Sequence, residues 1–295
     1  MPKELTHILI ARDVLKHLKG SAKQHIARVI EKNLPAFYLG AIIPDAFFYD
    51  VAPFRKMCQD YVQISRALHL KERLKNDQKA VSFFDAIAAN PHAWHLKAAF
   101  AAGIVTHTVS DRIIHGVIDH YTIRWRQKGS LAMASHRQLE TLIDMLLMQQ
   151  LHLHPRDFRL KRIVDVNQSA EDCLFRFYLT RLIGDNRTLH PRLIYALRRA
   201  HAQQCLLLKL FTVKPLYHIM YLSNKLVAGR LGALSGLFYP RTVGTRSFPL
   251  LNRLDLNALT NGRSFTGTLA SLIDAVTTDA ICHVRVGLYR LGQGE

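Results

Sequence analysis

The chain of 295 residues contains few cysteines, and none lies close to another in sequence. They are Cys58, Cys173, Cys205 and Cys282. This spacing argues against a cysteine-based zinc site, and a disulfide framework is not expected in a chain of this length. Long uncharged runs are also missing, because lysine and arginine interrupt even the most apolar region, residues 205–240. A membrane-spanning helix needs about 20 nearly uncharged residues, so none is predicted.

Signals of secretion and of several hydrolase classes are missing as well. The N-terminal segment has no uninterrupted apolar stretch, so we expect a cytoplasmic protein, either free or peripheral at the inner face of the membrane. The patterns His-Glu-x-x-His, His-Asp, Gly-x-x-x-x-Gly-Lys and Gly-x-Ser-x-Gly do not occur. Their absence removes support for zinc metalloproteases of that type, HD-type phosphohydrolases, P-loop NTPases and serine hydrolases.

What the chain does contain is positive charge and helical periodicity. Its net charge of +18 favours anionic partners such as phospholipid headgroups, nucleic acid or phosphate esters. Apolar residues recur at helical spacing along most of the chain, and no useful run alternates as a strand would. We therefore predict an all-α fold, a bundle of about eight to ten helices. We expect a metal-binding catalytic region at 1–155 and a basic, apolar helical region at 156–295, packed together as one domain.

The segment "GIVTHTVSDRIIHGV" places His107, Asp111 and His115 at intervals of four residues. On a helix these residues share one face, where imidazole nitrogen and carboxylate oxygen are donors that zinc accepts. The alternative is a buried helix whose histidines hydrogen-bond to backbone or to Asp111. A second pair with the same spacing, His136 and Glu140, favours the metal site.

Two single residues add to this set. His7 begins the first predicted helix, and Asp45 follows Pro44 in "FYLGAIIPDAFFYDVAPF". That segment is interrupted by glycine and proline and is predicted to be a loop-rich connection. A carboxylate on a loop can be directed at a site, which makes Asp45 a candidate ligand.

With these residues the sequence resembles the zinc-dependent phospholipase C family, whose all-helical fold is shared with S1/P1-type nucleases. The matching motifs lie within roughly residues 5–145 and are "THILIA", "YLGAIIPDAF", "AAGIVTHTVSDRIIH" and "HRQLETLID". His69, in "ALHLKERL", lies in the interval where the family has a further histidine ligand.

The resemblance implies a cluster of up to three zinc ions. One ion would be held by Asp45, His69, His107 and Asp111. A second would be held by His115, His136 and Glu140. His7, with Asp111 as a bridge, would contribute to a third. Secreted members complete that third ion with an N-terminal tryptophan, which this sequence does not have, so we expect one or two zinc ions.

For function, the resemblance implies a phosphodiesterase that uses metal-activated water on phospholipid, with Asp45 as both ligand and general base. The alternatives are an S1/P1-like nuclease and a non-catalytic helical protein that binds membranes or anions and retains a partial metal site. The segment "PRDFRLKRIV" could neutralise nucleic-acid phosphates, although such runs are usually solvated. The region 205–240 could lie in a bilayer interface, although an ordinary pair of core helices is the favoured interpretation.

Overall fold

A computed structural model describes residues 4–20, 24–50, 61, 64, 73–124, 129–183, 189–244, 259–260, 266–267 and 269–292. The chain forms two compact units. The first unit comprises Met1–Leu9, Ile113–Arg159 and Leu207–Val276. The second comprises Ile10–Arg112, Leu160–Leu206 and Thr277–Glu295. The predicted division at residue 155 remains a prediction.

The described residues form twelve α-helices. These are α1 (Glu4–Lys19), α2 (Gln24–Lys32), α3 (Leu34–Ile42), α4 (Arg73–Ala89), α5 (Trp94–Arg124), α6 (Gly129–Gln150), α7 (Leu160–Ile163), α8 (Gln168–Ile183), α9 (Pro191–Phe211), α10 (Lys214–Leu226), α11 (Gly232–Ser235) and α12 (Leu269–Gly292). Two 3-10 helices span Ile43–Tyr49 and Pro155–Asp157. The only strands in the described part of the chain are β1 (Leu259–Thr260) and β2 (Thr266–Gly267), which pair antiparallel. The all-α prediction is confirmed.

In the second unit, α3 and α5 cross in close contact at two glycines. A Cβ atom on Gly40 would lie 2.0 Å from the Phe100 carbonyl oxygen, and one on Gly103 would lie 2.1 Å from the Phe37 carbonyl oxygen. Neither distance leaves room for a side chain, so the glycines permit the backbones to touch. The crossing fixes the position of α5 relative to the C-terminal end of α3.

The segment around Gly40 was predicted to be loop-rich, and that prediction is wrong. It forms α3 followed directly by the 3-10 helix Ile43–Tyr49, with Asp45 in its first turn. Gly40 lies inside α3 at the close contact with Phe100, and Pro44 is the second residue of the 3-10 helix, where its missing N–H costs nothing. Asp45 therefore lies on a hydrogen-bonded element and not on a loop.

In the first unit, the short helix α11 packs against α6. A Cβ atom on Gly232 would lie 2.9 Å from the Ala134 Cβ, and the Thr141 hydroxyl donates a hydrogen bond to the Gly236 carbonyl. Helices α10 and α11 are separated at Gly229, which adopts a left-handed φ of +83°. Its N–H bonds back to the Asn224 carbonyl at 2.8 Å, as at a helix C-terminus.

Within the described residues, no single helix is long and apolar enough to cross a membrane. The pair α9 and α10 reaches the necessary length and composition together, but the two helices meet at a bend of 84°.

Candidate metal centre

The first unit brings His115, His136 and Glu140 together. His115 lies on α5, whereas His136 and Glu140 lie one turn apart on α6. The His136 Nε2 is 3.1 Å from the Glu140 Oε1, and the two imidazole rings are 5.2 Å apart between centroids. The ligating atoms of all three residues lie within 4.8 Å of one another, as is required of side chains that could share a metal ion.

The charge state of this cluster suits a cation. Burial raises the pKa of Glu140, but the positive charges around it, the Arg137 guanidinium among them, and the hydrogen bond with His136 hold that pKa well below its usual value. Burial lowers the pKa of His136, although Glu140 acts in the opposite direction. The cluster therefore offers an ionised carboxylate and an imidazole that favours its neutral form, which are the forms that ligate zinc.

The second unit brings Asp45 and His107 together in its interior. The His107 Nε2 is 3.6 Å from the Asp45 Oδ1, and both side chains are almost fully buried. The Nδ1 of His107 lies 2.8 Å from the Ala41 carbonyl oxygen. A carbonyl can only accept, so Nδ1 carries a proton, and Nε2 is the ring nitrogen that faces Asp45. Metal-binding histidines are commonly oriented by such a bond.

The remaining predicted ligands are Asp111, His7 and His69. Asp111 is buried on α5, one helical turn after His107 and one before His115. His7 is buried near the start of α1, in the part of that helix that belongs to the first unit. His69 lies outside the described residues.

Asp144 is a fully buried carboxylate that orients the start of α1, and it was not among the residues predicted from the sequence. Its Oδ1 accepts the Thr6 backbone N–H at 2.9 Å and also the Thr6 hydroxyl, and its Oδ2 accepts the Tyr239 hydroxyl. The N–H groups in the first turn of a helix have no partner within the helix, and Asp144 supplies one. Asp144 follows Glu140 by four residues, so the stripe from His136 could have been extended to it.

Two residues on α9 hold the segment that carries Asp45, and these were also missed. The Arg199 guanidinium donates to both carboxylate oxygens of Asp50, at 3.0 and 2.7 Å, immediately after the 3-10 helix. The Gln204 side-chain amide donates to the Ile42 carbonyl at 3.1 Å, at the junction of α3 and the 3-10 helix. Both ends of this segment are therefore attached to one rigid helix.

The donor atoms of both groups fit zinc. They are imidazole nitrogens and carboxylate oxygens, and the described residues place no thiolate among them. Such sets are typical of zinc sites that keep positions open for water and substrate, whereas closed structural sites favour cysteine.

Comparison with known proteins agrees with this chemistry. A family model described as zinc dependent phospholipase C matches residues 6–198, about two thirds of the chain. No curated protein and no solved structure shows significant similarity to this chain. The family match and the two groups of ligating side chains support a zinc-dependent hydrolase of phospholipase type. The matched range contains every predicted ligand, and the chain belongs to the zinc dependent phospholipase C family.

Proposed function

We propose that this protein hydrolyses a phospholipid-like phosphodiester with water activated by bound zinc. The observation that carries the proposal is the cluster of His115, His136 and Glu140, whose ligating atoms lie within 4.8 Å of one another around a buried, ionised carboxylate. An ionised carboxylate inside a protein requires compensating positive charge. Arg137 provides part of it, and a zinc ion would provide more.

Within this cluster the atoms have distinct roles. The Arg137 Nη1 binds the Glu140 Oε2 at 3.1 Å, and Oε1 faces the His136 imidazole. Glu140 Oε1 is therefore the candidate ligand atom, while Arg137 fixes the carboxylate plane. His115 and His136 would supply the two nitrogen ligands of the same ion.

Asp45 and His107 would hold a second zinc ion, together with Asp111 and His69 as the resemblance implies. His107 is prepared for this because its Nδ1 proton is bound by the Ala41 carbonyl. We assign Asp45 a second role as general base, since its buried carboxylate can accept the proton of the attacking water. The resemblance also implies that His7 contributes to a third ion, and we propose an occupancy of one or two.

Bound zinc supplies two kinds of chemistry here, a lowered pKa of about 7 for bound water and a positive charge for the phosphate oxygens. The chain's own residues orient the carboxylates and imidazoles and exclude bulk water from their buried faces. Burial matters because charge interactions are stronger away from water.

The test compares three substrates with the purified chain, each with and without a chelator. They are a chromogenic phosphocholine ester, a phospholipid in mixed micelles and single-stranded DNA. We expect chelator-sensitive cleavage of the two lipid-type substrates. Cleavage of DNA alone would assign the chain to nuclease chemistry, and no chelator-sensitive cleavage of any substrate would favour a non-catalytic binding protein.

The variant Glu140→Gln tests the cluster itself, because it keeps the shape of the side chain and removes the charge. We expect zinc affinity to fall by at least about 100-fold, since even partners of metal ligands cost 10–100-fold. Glu31→Gln, an exposed carboxylate paired with Lys19, is the matched control and should retain zinc. Elemental analysis and circular dichroism together separate loss of zinc from loss of fold. Full zinc content in folded Glu140→Gln would contradict the assignment.

A further inference from the structure

Helix α10 exposes apolar side chains where a core helix would bury them. None of its residues is buried, in contrast to the preceding helix α9, which buries Leu197, Ala200 and Phe211. The exposed fractions of Ile219, Leu222 and Leu226 are 56%, 57% and 87%. The interpretation of 205–240 as a pair of core helices therefore fails for its second helix.

These three residues form one ridge. They are spaced by three and four residues, so they share a face of α10 and span about 10 Å along it. Pro215 is exposed on the same face, and the exposed residues His218 and Lys225 follow along one edge of the ridge. Val227 continues the exposed apolar surface beyond the end of the helix. An apolar face with a basic edge is the pattern of a helix that lies in a membrane interface.

The sequence on both sides of α10 carries positive charges and no negative ones. No aspartate or glutamate occurs between Asp185 and Asp255, whereas that segment contains eleven lysine or arginine residues. At the start of the helix, the charge of Arg156 lies close enough to Lys214 to lower its pKa, and burial and the charge of Arg241 make smaller contributions in the same direction. These three cations belong to the first unit, as α10 does. An anionic surface would relieve their mutual repulsion.

We propose that α10 is a docking surface for an anionic phospholipid bilayer, with the ridge of Ile219, Leu222 and Leu226 inserted among the headgroups. The surrounding cations would then contact lipid phosphates. The inference goes beyond the proposed hydrolysis and rests on α10 and its charges alone.

Other occupants fit the helix less well. Nucleic acid would satisfy the cations but would leave the leucines in water. A second copy of the chain would cover the apolar ridge but would bring two like-charged surfaces together, each from a chain with a net charge of +18. A bilayer with acidic lipids satisfies both features at once.

The test is cosedimentation with vesicles of phosphatidylcholine alone and of phosphatidylcholine with one third phosphatidylglycerol. We expect binding to the mixed vesicles to be at least about tenfold tighter, and to weaken with added salt. Replacing Leu222→Ser and Leu226→Ser together should weaken it by about 100-fold, because both side chains leave the apolar layer. The control replaces two exposed apolar residues elsewhere, Leu151→Ser and Val286→Ser, and should bind like the unaltered chain.

Three measurements could overturn the proposal. Equal binding by the Leu222/Leu226 double variant and the unaltered chain would show that the ridge does not insert. Equal binding to both vesicle types would remove the role of the cations. A chain that is dimeric in gel filtration and becomes monomeric in the double variant would identify a second copy as the occupant. The variant Glu140→Gln separates membrane binding from the proposed hydrolysis, because it should lose zinc and still bind vesicles.

Discussion

Replacement of Gly103 by alanine tests the contact that places His107. The added Cβ atom would lie 2.1 Å from the Phe37 carbonyl oxygen and 2.8 Å from the Ala41 nitrogen. An ordinary contact begins near 3.4 Å, so α3 and α5 would have to separate by about 1.3 Å. The hydrogen bond from His107 to the Ala41 carbonyl, now 2.8 Å long, would then exceed 3.5 Å and be lost.

The free-energy contributions of this substitution add up to a net destabilisation of the folded chain. Alanine in a helix interior is favoured over glycine by about 1 kcal/mol. Overpacking of a tight contact costs about 2 kcal/mol, and a buried histidine deprived of its acceptor costs about 2 kcal/mol more. We therefore expect Gly103→Ala to lower the free energy of unfolding by about 3 kcal/mol.

The assay is urea unfolding followed by circular dichroism, in the presence of chelator so that bound zinc does not add to the stability. Gly20→Ala is the control, because a Cβ atom there would meet its nearest neighbour at 3.8 Å. Zinc content measured without chelator should fall in Gly103→Ala and not in Gly20→Ala. If Gly103→Ala were as stable as the unaltered chain, or more stable by the helix propensity of alanine, the close crossing could not be what positions His107.

Three further predictions concern other residues. Asp144→Asn should destabilise the chain by about 3 kcal/mol in chemical unfolding, because an amide cannot accept all the bonds from Thr6 and Tyr239. Asp111→Asn should reduce zinc affinity and phosphodiesterase activity together with helical content unchanged, since the resemblance has this carboxylate touching two ions. His201→Gln should flatten the pH dependence of stability between about pH 7 and pH 5, measured by thermal unfolding at a series of pH values.

The sign of the His201 effect follows from its burial. Burial lowers the pKa of this imidazole in the folded chain, and the bond with Gln204 only partly opposes it. In the unfolded chain the pKa of His201 is about 6.5. As the pH decreases below that value, the unfolded chain takes up the proton before the folded chain does. The free energy of unfolding therefore decreases, by at most about 1.4 kcal/mol per pH unit. The glutamine variant has no proton to take up there. An unchanged slope would contradict this explanation.

Controls for the two carboxylates are available on the surface. Asp165→Asn alters an exposed aspartate and should leave both stability and zinc content unchanged. Full activity in Asp111→Asn would show that this residue is an ordinary helix carboxylate. Unchanged stability in Asp144→Asn would show that the start of α1 does not depend on it.

Much of the fold could be predicted from the sequence because its signals are local. Helical periodicity is a property of a single segment, and so is the four-residue spacing of His107, Asp111 and His115. On a helix, residues with that spacing lie on one face. The pair His136 and Glu140 is of the same kind. Both sets of residues can be recognised in the sequence without any information about tertiary packing.

The errors arose where distant contacts decide the structure. Gly40 was interpreted as a helix breaker, but contact with Phe100 places it inside α3. Asp50 and Arg199 pair across 149 positions of sequence, and no local pattern announces such a bond. Conversely, the apolar composition of α10 suggested a core helix, because composition alone does not show whether a neighbour covers the helix.

The carboxylate of Asp144 joins parts of the chain that leave the ribosome at very different times. Its bond to Thr6 closes a separation of 138 residues, and its bond to Tyr239 closes one of 95. The start of α1 can dock once α6 has been synthesised, but the carboxylate receives its last donor only after residue 239 has emerged. Because non-local contacts form late, we expect the first unit to mature after most of the chain has been translated. A chain that ended at residue 198, where the family match ends, would contain all the predicted ligands and still leave this buried charge incompletely bonded.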